Sequence, residues 1–256
     1  MKNIATLIIL LFCFSTTFAQ KTINVSDIIR DVKNGKTVTI SNATIKGVLD
    51  FTFMEEALPK LPTRKRWWNN GGSNTIEKQI TNKVSFINCV FEDDVLAYIP
   101  DEKSGYTFVA NFEDFVIFKD CTFEQKAMFK YSDFEKSTDF SGSKFKGDST
   151  FKYAKFNRDI SFKNTLFEEP STFKYANFKR FVSFENSVFN ESAIFKYTDF
   201  KDGVSFRNVK FEEDLNIKYT KVSGEFDITG MEVAFDIDSK YTKINGKSFN
   251  KYLLKK

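Results

Sequence analysis

Histidine is absent from the 256 residues. Catalytic triads and metal centres built on imidazole are therefore excluded. Cysteine occurs three times, at 13, 89 and 121, too few for a thiolate zinc site. Charge of one sign is also lacking: 38 Lys and Arg against 34 Asp and Glu leave a net +4. That balance argues against a nucleic-acid binder and equally against an acidic nucleic-acid mimic. After Phe14 no stretch approaches 18 apolar residues, so the sequence contains no candidate transmembrane helix beyond its start.

What is present in excess is phenylalanine, 32 residues, within a composition that is 41% hydrophobic and sufficient for a folded core. The N-terminus carries a separate signal. Met1-Lys2-Asn3 is followed by an apolar run from Ile4 to Phe14, and Thr17-Phe18-Ala19 places small residues at −3 and −1 before Gln20. This is the layout of a cleaved secretory signal over 1–19. Leu11-Phe12-Cys13 lacks the small residues expected before a lipidated cysteine. Residues 20–256 would lose only Lys2 among charged residues, taking +4 to +3, and would enter a compartment that permits disulfides, secreted or periplasmic.

From Phe118 to Phe211 eighteen phenylalanines recur at steps that alternate five and six. Ile217, Val222, Ile228, Val233 and Ile244 continue the beat, with Ser239 as its one failure, and Ile40, Ile45, Phe51, Phe86 and Phe91 precede it. A helix does not fit, because residues five apart lie about 130–140° apart around a helix. A short strand that turns a corner at each step does fit. Phe-Lys-Tyr-small-x-Phe recurs at 129, 151, 173 and 195, with degenerate copies at 217 and 239, all 22 apart. One coil is thus 22 residues with four sides. Roughly seven coils from 84 to 244 would stack into a rod of about 35 Å. The residue two before each Phe also points inward. One such column is small (Ser132, Ala154, Ala176, Thr198, Thr220) and another larger (Thr138, Ile160, Val182, Val204, Phe226).

Tandem small-x-Phe-x-x units resemble the pentapeptide-repeat proteins, in a Phe-rich variant with an extra residue in every second pentad. The resemblance covers about three quarters of residues 20–256. It implies an all-β fold, a right-handed quadrilateral β-helix, and no single activity. Two departures stand out: only Asp133, Asp139, Asn177 and Asp199 supply the family's frequent Asp or Asn before the central Phe, and the sixth residue at alternate corners disfavours regular tight turns there.

The organisation expected is therefore a signal at 1–19, a cap at 20–39, a β-helix over 40–245 with insertions at 52–83 and 98–108, and a tail at 246–256. The cap is expected as a short helix over 27–33, capped by Ser26 and ended at Asn34-Gly35. The tail is expected either to cover the last coil or to pair with a second copy as a homodimer. Three groups of residues are candidates for a site. Arg64-Lys65-Arg66-Trp67-Trp68, in the first insertion, holds both tryptophans and suits a partner, an anionic surface or a membrane interface, or else packs as a lid. Tyr131, Tyr153, Tyr175, Tyr197, Tyr219 and Tyr241, each preceded by Lys, form a corner stripe that suits a glycan or anionic polymer, or else merely stacks because repeats duplicate. Cys89 and Cys121 sit at equivalent positions one coil apart; a disulfide and two free buried thiols are both open, the inward direction favouring thiols. Acid pairs such as Glu168-Glu169 and Glu212-Glu213 fall at one repeating corner and are expected to be solvated there. No cofactor or metal is indicated. The function expected is a secreted, non-enzymatic binding or structural scaffold with an unknown protein or glycan as partner. The alternatives are a polysaccharide-active β-helix, or an envelope protein that uses Trp67 and Trp68.

Overall fold

The computed structural model describes residues 21–62 and 74–249. Four sheets run along one axis, and the chain visits them in turn. In the first coil the strands are Val38–Ser41 on face one, Ala43–Lys46 on face two, Leu49–Asp50 on face three and Thr75–Ile80 on face four. Seven further coils repeat this order. Each strand pairs in parallel with its counterpart one coil away, as in Ile160↔Val182 and Phe178↔Phe200. Faces one and three each hold eight strands among the described residues. Most are only two residues long, because a chain that turns every five or six residues has no room for more.

The core is a set of four phenylalanine columns. Rings of successive coils stack face to face at 4.5–5.5 Å, for example Phe123 on Phe145 at 4.5 Å and Phe118 on Phe140 at 5.5 Å. Between columns the rings meet edge to face, as Phe162 does with Phe173. The strand spacing imposes the first distance, and the ring quadrupole favours the second geometry. The small column sits as expected: Ser132, Ala154, Ala176, Thr198 and Thr220 are buried. Its threonine hydroxyls bond to backbone of the preceding coil, Thr198 to the Phe173 carbonyl at 2.8 Å and Thr220 to the Phe195 carbonyl at 2.6 Å.

Corners come in two kinds. Where the step is five, a hydrogen bond closes the turn, as from Ala176 N–H to the Phe173 carbonyl at 2.9 Å and from Ser187 N–H to the Phe184 carbonyl at 3.0 Å. The residue before the donor is left-handed, with φ 62° at Tyr175 and 58° at Asn186. The asparagines form their own ladder, Asn186 Nδ2 donating to Asn164 Oδ1 and Asn208 Nδ2 to Asn186 Oδ1, both at 3.1 Å. Glycine replaces asparagine at Gly142, where φ is 69° and a Cβ would collide with Asp120 Oδ1.

The ends differ from expectation in detail. A strand, β1 (Lys21–Asn24), pairs with Ala43–Lys46 and extends face two by one strand. The cap helix, α1 (Val25–Lys33), then begins two residues earlier than expected. Its cap is Asn24, whose Oδ1 accepts from Ser26 N–H at 2.9 Å, and not Ser26. The strand holds Asn24 extended, so the helix starts immediately after it. Ile28 and Val32 of α1 are buried over the first coil. The first insertion is narrower than 52–83, because Thr75–Ile80 already belongs to face four and pairs with Thr107–Phe112. The second is also narrower than 98–108. It is a hairpin in which Tyr98–Asp101 pairs antiparallel with the first four residues of Tyr106–Phe112. The solenoid starts at Val38, inside the span expected for the cap. At the far end Lys247–Ser248 folds back antiparallel on Lys243–Ile244, and Phe249 meets Phe226 edge to face at 5.7 Å. The tail beyond 249 and the signal at 1–19 lie outside the described residues.

Phe162 is fully buried, stacks on Phe140 and Phe184, and meets Phe151 and Phe173 by its edges. Phe162→Ala is expected to destabilise residues 20–256 by about 3–5 kcal/mol. The urea midpoint measures this, and a shift worth under about 1 kcal/mol would contradict the packed aromatic core.

Candidate functional site: the tyrosine and lysine ladder

The corner between faces three and four carries the tyrosines. Each is the left-handed residue of its turn, with φ between 60° and 65° from Tyr131 to Tyr241. That backbone throws the ring outward, one ring per coil. The rings stack at 4.8 Å (131 on 153), 4.7 Å (153 on 175), 4.7 Å (175 on 197), 4.6 Å (197 on 219) and 4.8 Å (219 on 241). The first four pairs are parallel within 7°. Each inner ring therefore has a neighbour on both faces, and solvent meets its edge and its hydroxyl. Only Tyr241, 59% exposed on the last coil, lacks a further ring above it among the described residues.

A seventh aromatic joins the ladder that the 22-residue spacing did not reveal. Tyr98, from the hairpin, lies 5.8 Å from Tyr131, and its hydroxyl accepts from Lys130 Nζ at 3.0 Å. The insertion moves Tyr98 off the repeat, so only three-dimensional structure brings it here.

Lysine precedes each ring. Lys130, Lys152, Lys174, Lys196 and Lys218 are half-buried along their stems, and their ammonium groups lie 4.9–6.0 Å from the centroid of the following ring. Lys218 pairs with Asp238 at 3.7 Å. Lys152, Lys174 and Lys196 have no carboxylate partner within ion-pair distance among the described residues. The Lys152 ammonium is held below the ordinary lysine range, first by burial and then by the like charges of Lys130 and Lys174. The Tyr153 hydroxyl is pushed up by burial and by its two tyrosine neighbours. The corner is thus a row of positive charges, cushioned by aromatic rings and spaced by the coil rise.

Charge elsewhere is distributed unevenly. The six-residue corner that follows face four mixes both signs: Lys136, Arg158, Lys179 and Arg180 are exposed beside Glu135, Asp159 and Asp202, and Arg180 pairs with Asp202 at 3.5 Å. The six-residue corner between faces two and three presents the acid pairs. There Glu168 is taken up by Lys144 at 2.7 Å, and Glu169 and Glu212 are exposed. The exposure of Glu169 and Glu212 suits solvation.

Cys89 and Cys121 are free thiols, both buried. They fall in an inward column with Ser143, Thr165 and Ser187, and they copy its hydrogen bond. Ser187 Oγ donates to the Phe162 carbonyl at 2.6 Å, and Cys121 Sγ lies 3.4 Å from the Phe86 carbonyl. The insertions explain the longer separations in sequence. Cys121 is pushed above the ordinary thiol range, first by its hydrogen bond with Cys89 and then by burial. Of the two states left open by the sequence, the structure contains the buried thiols. Arg64, Lys65, Arg66, Trp67 and Trp68 lie outside the described residues. Their flanks are fixed at the first two coils: the Tyr106 hydroxyl donates to the Pro62 carbonyl at 2.8 Å, and Thr75 pairs with Thr107. Among the described residues no cluster of three or more Cys, Asp or Glu is placed to hold a metal, and no helix is long and apolar enough to cross a membrane.

A model of the pentapeptide repeats, nine copies long, matches four overlapping segments, 110–155, 129–176, 140–186 and 173–221. No curated protein and no solved structure matches the chain.

Two outcomes test this geometry. Denatured residues 20–256 should release two titratable thiols per chain while the native protein releases none over minutes; none after denaturation would mean a disulfide. Tyr175→Asn should be milder than Tyr175→Val by about 1–2 kcal/mol in thermal or urea unfolding, because Asn accepts the left-handed backbone and a β-branched residue does not. Equal effects would mean that the φ of this corner is not the constraint.

Proposed function

Since residues 110–221 belong to the pentapeptide-repeat family, whose coil presents regular outer faces around a filled core, we propose that the protein is a secreted, non-enzymatic rod that serves as a binding or structural scaffold. The observation that carries this reading is the ladder of outward tyrosines and lysines, continuous over six coils and partly without acidic partners among the described residues. Secretion rests on the apolar run Ile4–Phe14 followed by Thr17-Phe18-Ala19. A scaffold role without catalysis is supported by the core, whose interior is occupied by phenylalanine, and by the acid pairs, of which Glu168 is paired with Lys144 while Glu169 and Glu212 are exposed. The partner is a protein or glycan of the cell envelope or of the exterior.

A second reading assigns the contact to Arg64-Lys65-Arg66-Trp67-Trp68. It is favoured by the attachment of that loop's flanks at the N-terminal end of the rod, away from most of the ladder.

The test is affinity capture from envelope extract, with residues 20–256 as bait beside a Trp67→Ala/Trp68→Ala bait. The proposed reading expects the same component on both baits and no release of reducing ends from a polysaccharide panel. Capture lost with the tryptophans would transfer the contact to the loop. Reducing-sugar release would overturn the non-enzymatic role.

A further inference from the structure

We propose that the tyrosine and lysine corner binds a linear carboxylated polysaccharide laid along the rod axis, with about one sugar residue per coil; this rests on the scaffold reading and names its ligand class.

The first argument is spacing. The ladder offers one ammonium and one phenol hydroxyl per coil, at the ring separation of 4.6–4.8 Å. A pyranose joined head to tail through opposite ring positions advances by a similar distance per residue. Successive residues of such a chain also rotate about its axis, so a uronate chain would bring carboxylates to the lysine row at intervals, and hydroxyls to the tyrosine hydroxyls between them, while keeping its advance close to that of the coils. A compact anion would engage one or two lysines and leave the others unused.

The second argument is what the rings cannot do. Aromatic platforms for neutral sugars or for nucleobases work through exposed ring faces. Here the faces of Tyr153, Tyr175, Tyr197 and Tyr219 are covered by their neighbours. The corner can offer edges, hydroxyls and positive charge. That set recognises a ligand that is both anionic and rich in hydroxyls.

The third argument is the field around the corner. Lys152, Lys174 and Lys196 lack acidic partners among the described residues, and the mutual repulsion along the row is relieved by an anion that spans it. On one side, beyond face four, Lys136, Arg158 and Lys179 alternate with Glu135, Asp159 and Asp202, and Arg180 pairs with Asp202, so that corner is close to balanced. On the other side face three turns outward the uncharged Met128, Thr172 and Ile194, and Asp238, which pairs with Lys218, before the acidic corner with Glu169 and Glu212. A polyanion is attracted by the lysines of the ladder and repelled by the acidic corner, which favours the ladder over that corner.

Residues 20–256 should bind immobilised polygalacturonate or alginate, with affinity that falls as salt rises, and should leave an uncharged glucan unbound. Lys152→Gln/Lys174→Gln/Lys196→Gln should weaken binding about tenfold or more. Lys119→Gln/Lys144→Gln/Lys163→Gln, with the same change of charge elsewhere on the rod, should change it less than about twofold. Circular dichroism and melting of both triple variants check that they fold. No binding by the parent protein to either polyuronate, equal loss in the two triples, or stronger binding to a polyphosphodiester would overturn the proposal. The envelope capture separates this from failure of the scaffold reading. A component retained equally by the parent and the ladder triple would overturn the ladder alone, whereas no retained component together with reducing-sugar release would overturn both.

Discussion

The separation of hydrogen-bonded strands governs this molecule. Parallel strands lie about 4.8 Å apart, and every column of like residues inherits that interval. For phenylalanine the interval is favourable. Rings stacked at 4.5–5.5 Å touch without overlap, and four such columns fill a cross-section only a few side chains wide. Volume then decides the remaining inward positions. A ring at every position would overfill the coil, so the positions two before Phe156, Phe178 and Phe200 stay small, as Ala154, Ala176 and Thr198. Threonine and serine are admitted to such columns because a carbonyl of the coil below lies within reach of the hydroxyl. The two buried cysteines follow the same rule, being small, apolar and able to make a weak bond to that carbonyl.

The five-residue corners carry a second constraint, a left-handed residue that costs about 1–2 kcal/mol when it is not glycine. The protein meets this cost in two ways. At one corner asparagine tolerates the backbone and its amide bonds to the next asparagine along the axis. At the other tyrosine occupies a conformation it does not favour, and ring stacking of about 0.5–1.5 kcal/mol per pair offsets the strain. The stripe is therefore stable only as a ladder. A single tyrosine on one coil would keep the strain and lose the stack.

Much of this can be read from the residues, and the reasons are particular. The alternation of five and six between Phe118 and Phe211 encodes both side count and coil length, because each inward ring marks one side. What stays hidden is whatever leaves that beat. Thr75–Ile80 reads as a polar stretch with two isoleucines, yet it completes the first coil on face four. Tyr98 lies outside the 22-residue register and enters the ladder only because a hairpin returns the chain to the same edge. Ser26 reads as the helix cap for a similar reason: Asn24 ends a strand, and only the pairing of β1 with Ala43–Lys46 shows that the strand exists. The positive φ of the tyrosines is also invisible in sequence, since tyrosine is not a residue that signals a left-handed turn.

The lysine row does not follow from the fold. Core volume and corner geometry dictate phenylalanine, small residues, asparagine and, through stacking, an aromatic ladder. The one local reason for a cation before each tyrosine is the cation–π contact that its ammonium makes with the following ring. At the asparagine corner the equivalent position varies freely, from Lys163 to Glu185 to Arg207, and its charges pair along the axis, as Lys163 does with Glu185 at 2.8 Å. The same mixture at the tyrosine corner would remove the repulsion felt by Lys152 without disturbing a ring. Identical charges stacked at one strand interval work against the stability of the rod, if only modestly at a partly solvated edge. The rings that follow the lysines cushion this repulsion through cation–π contacts but do not remove it, and it is on this residual, aligned positive charge that the proposal of an extended anionic ligand rests.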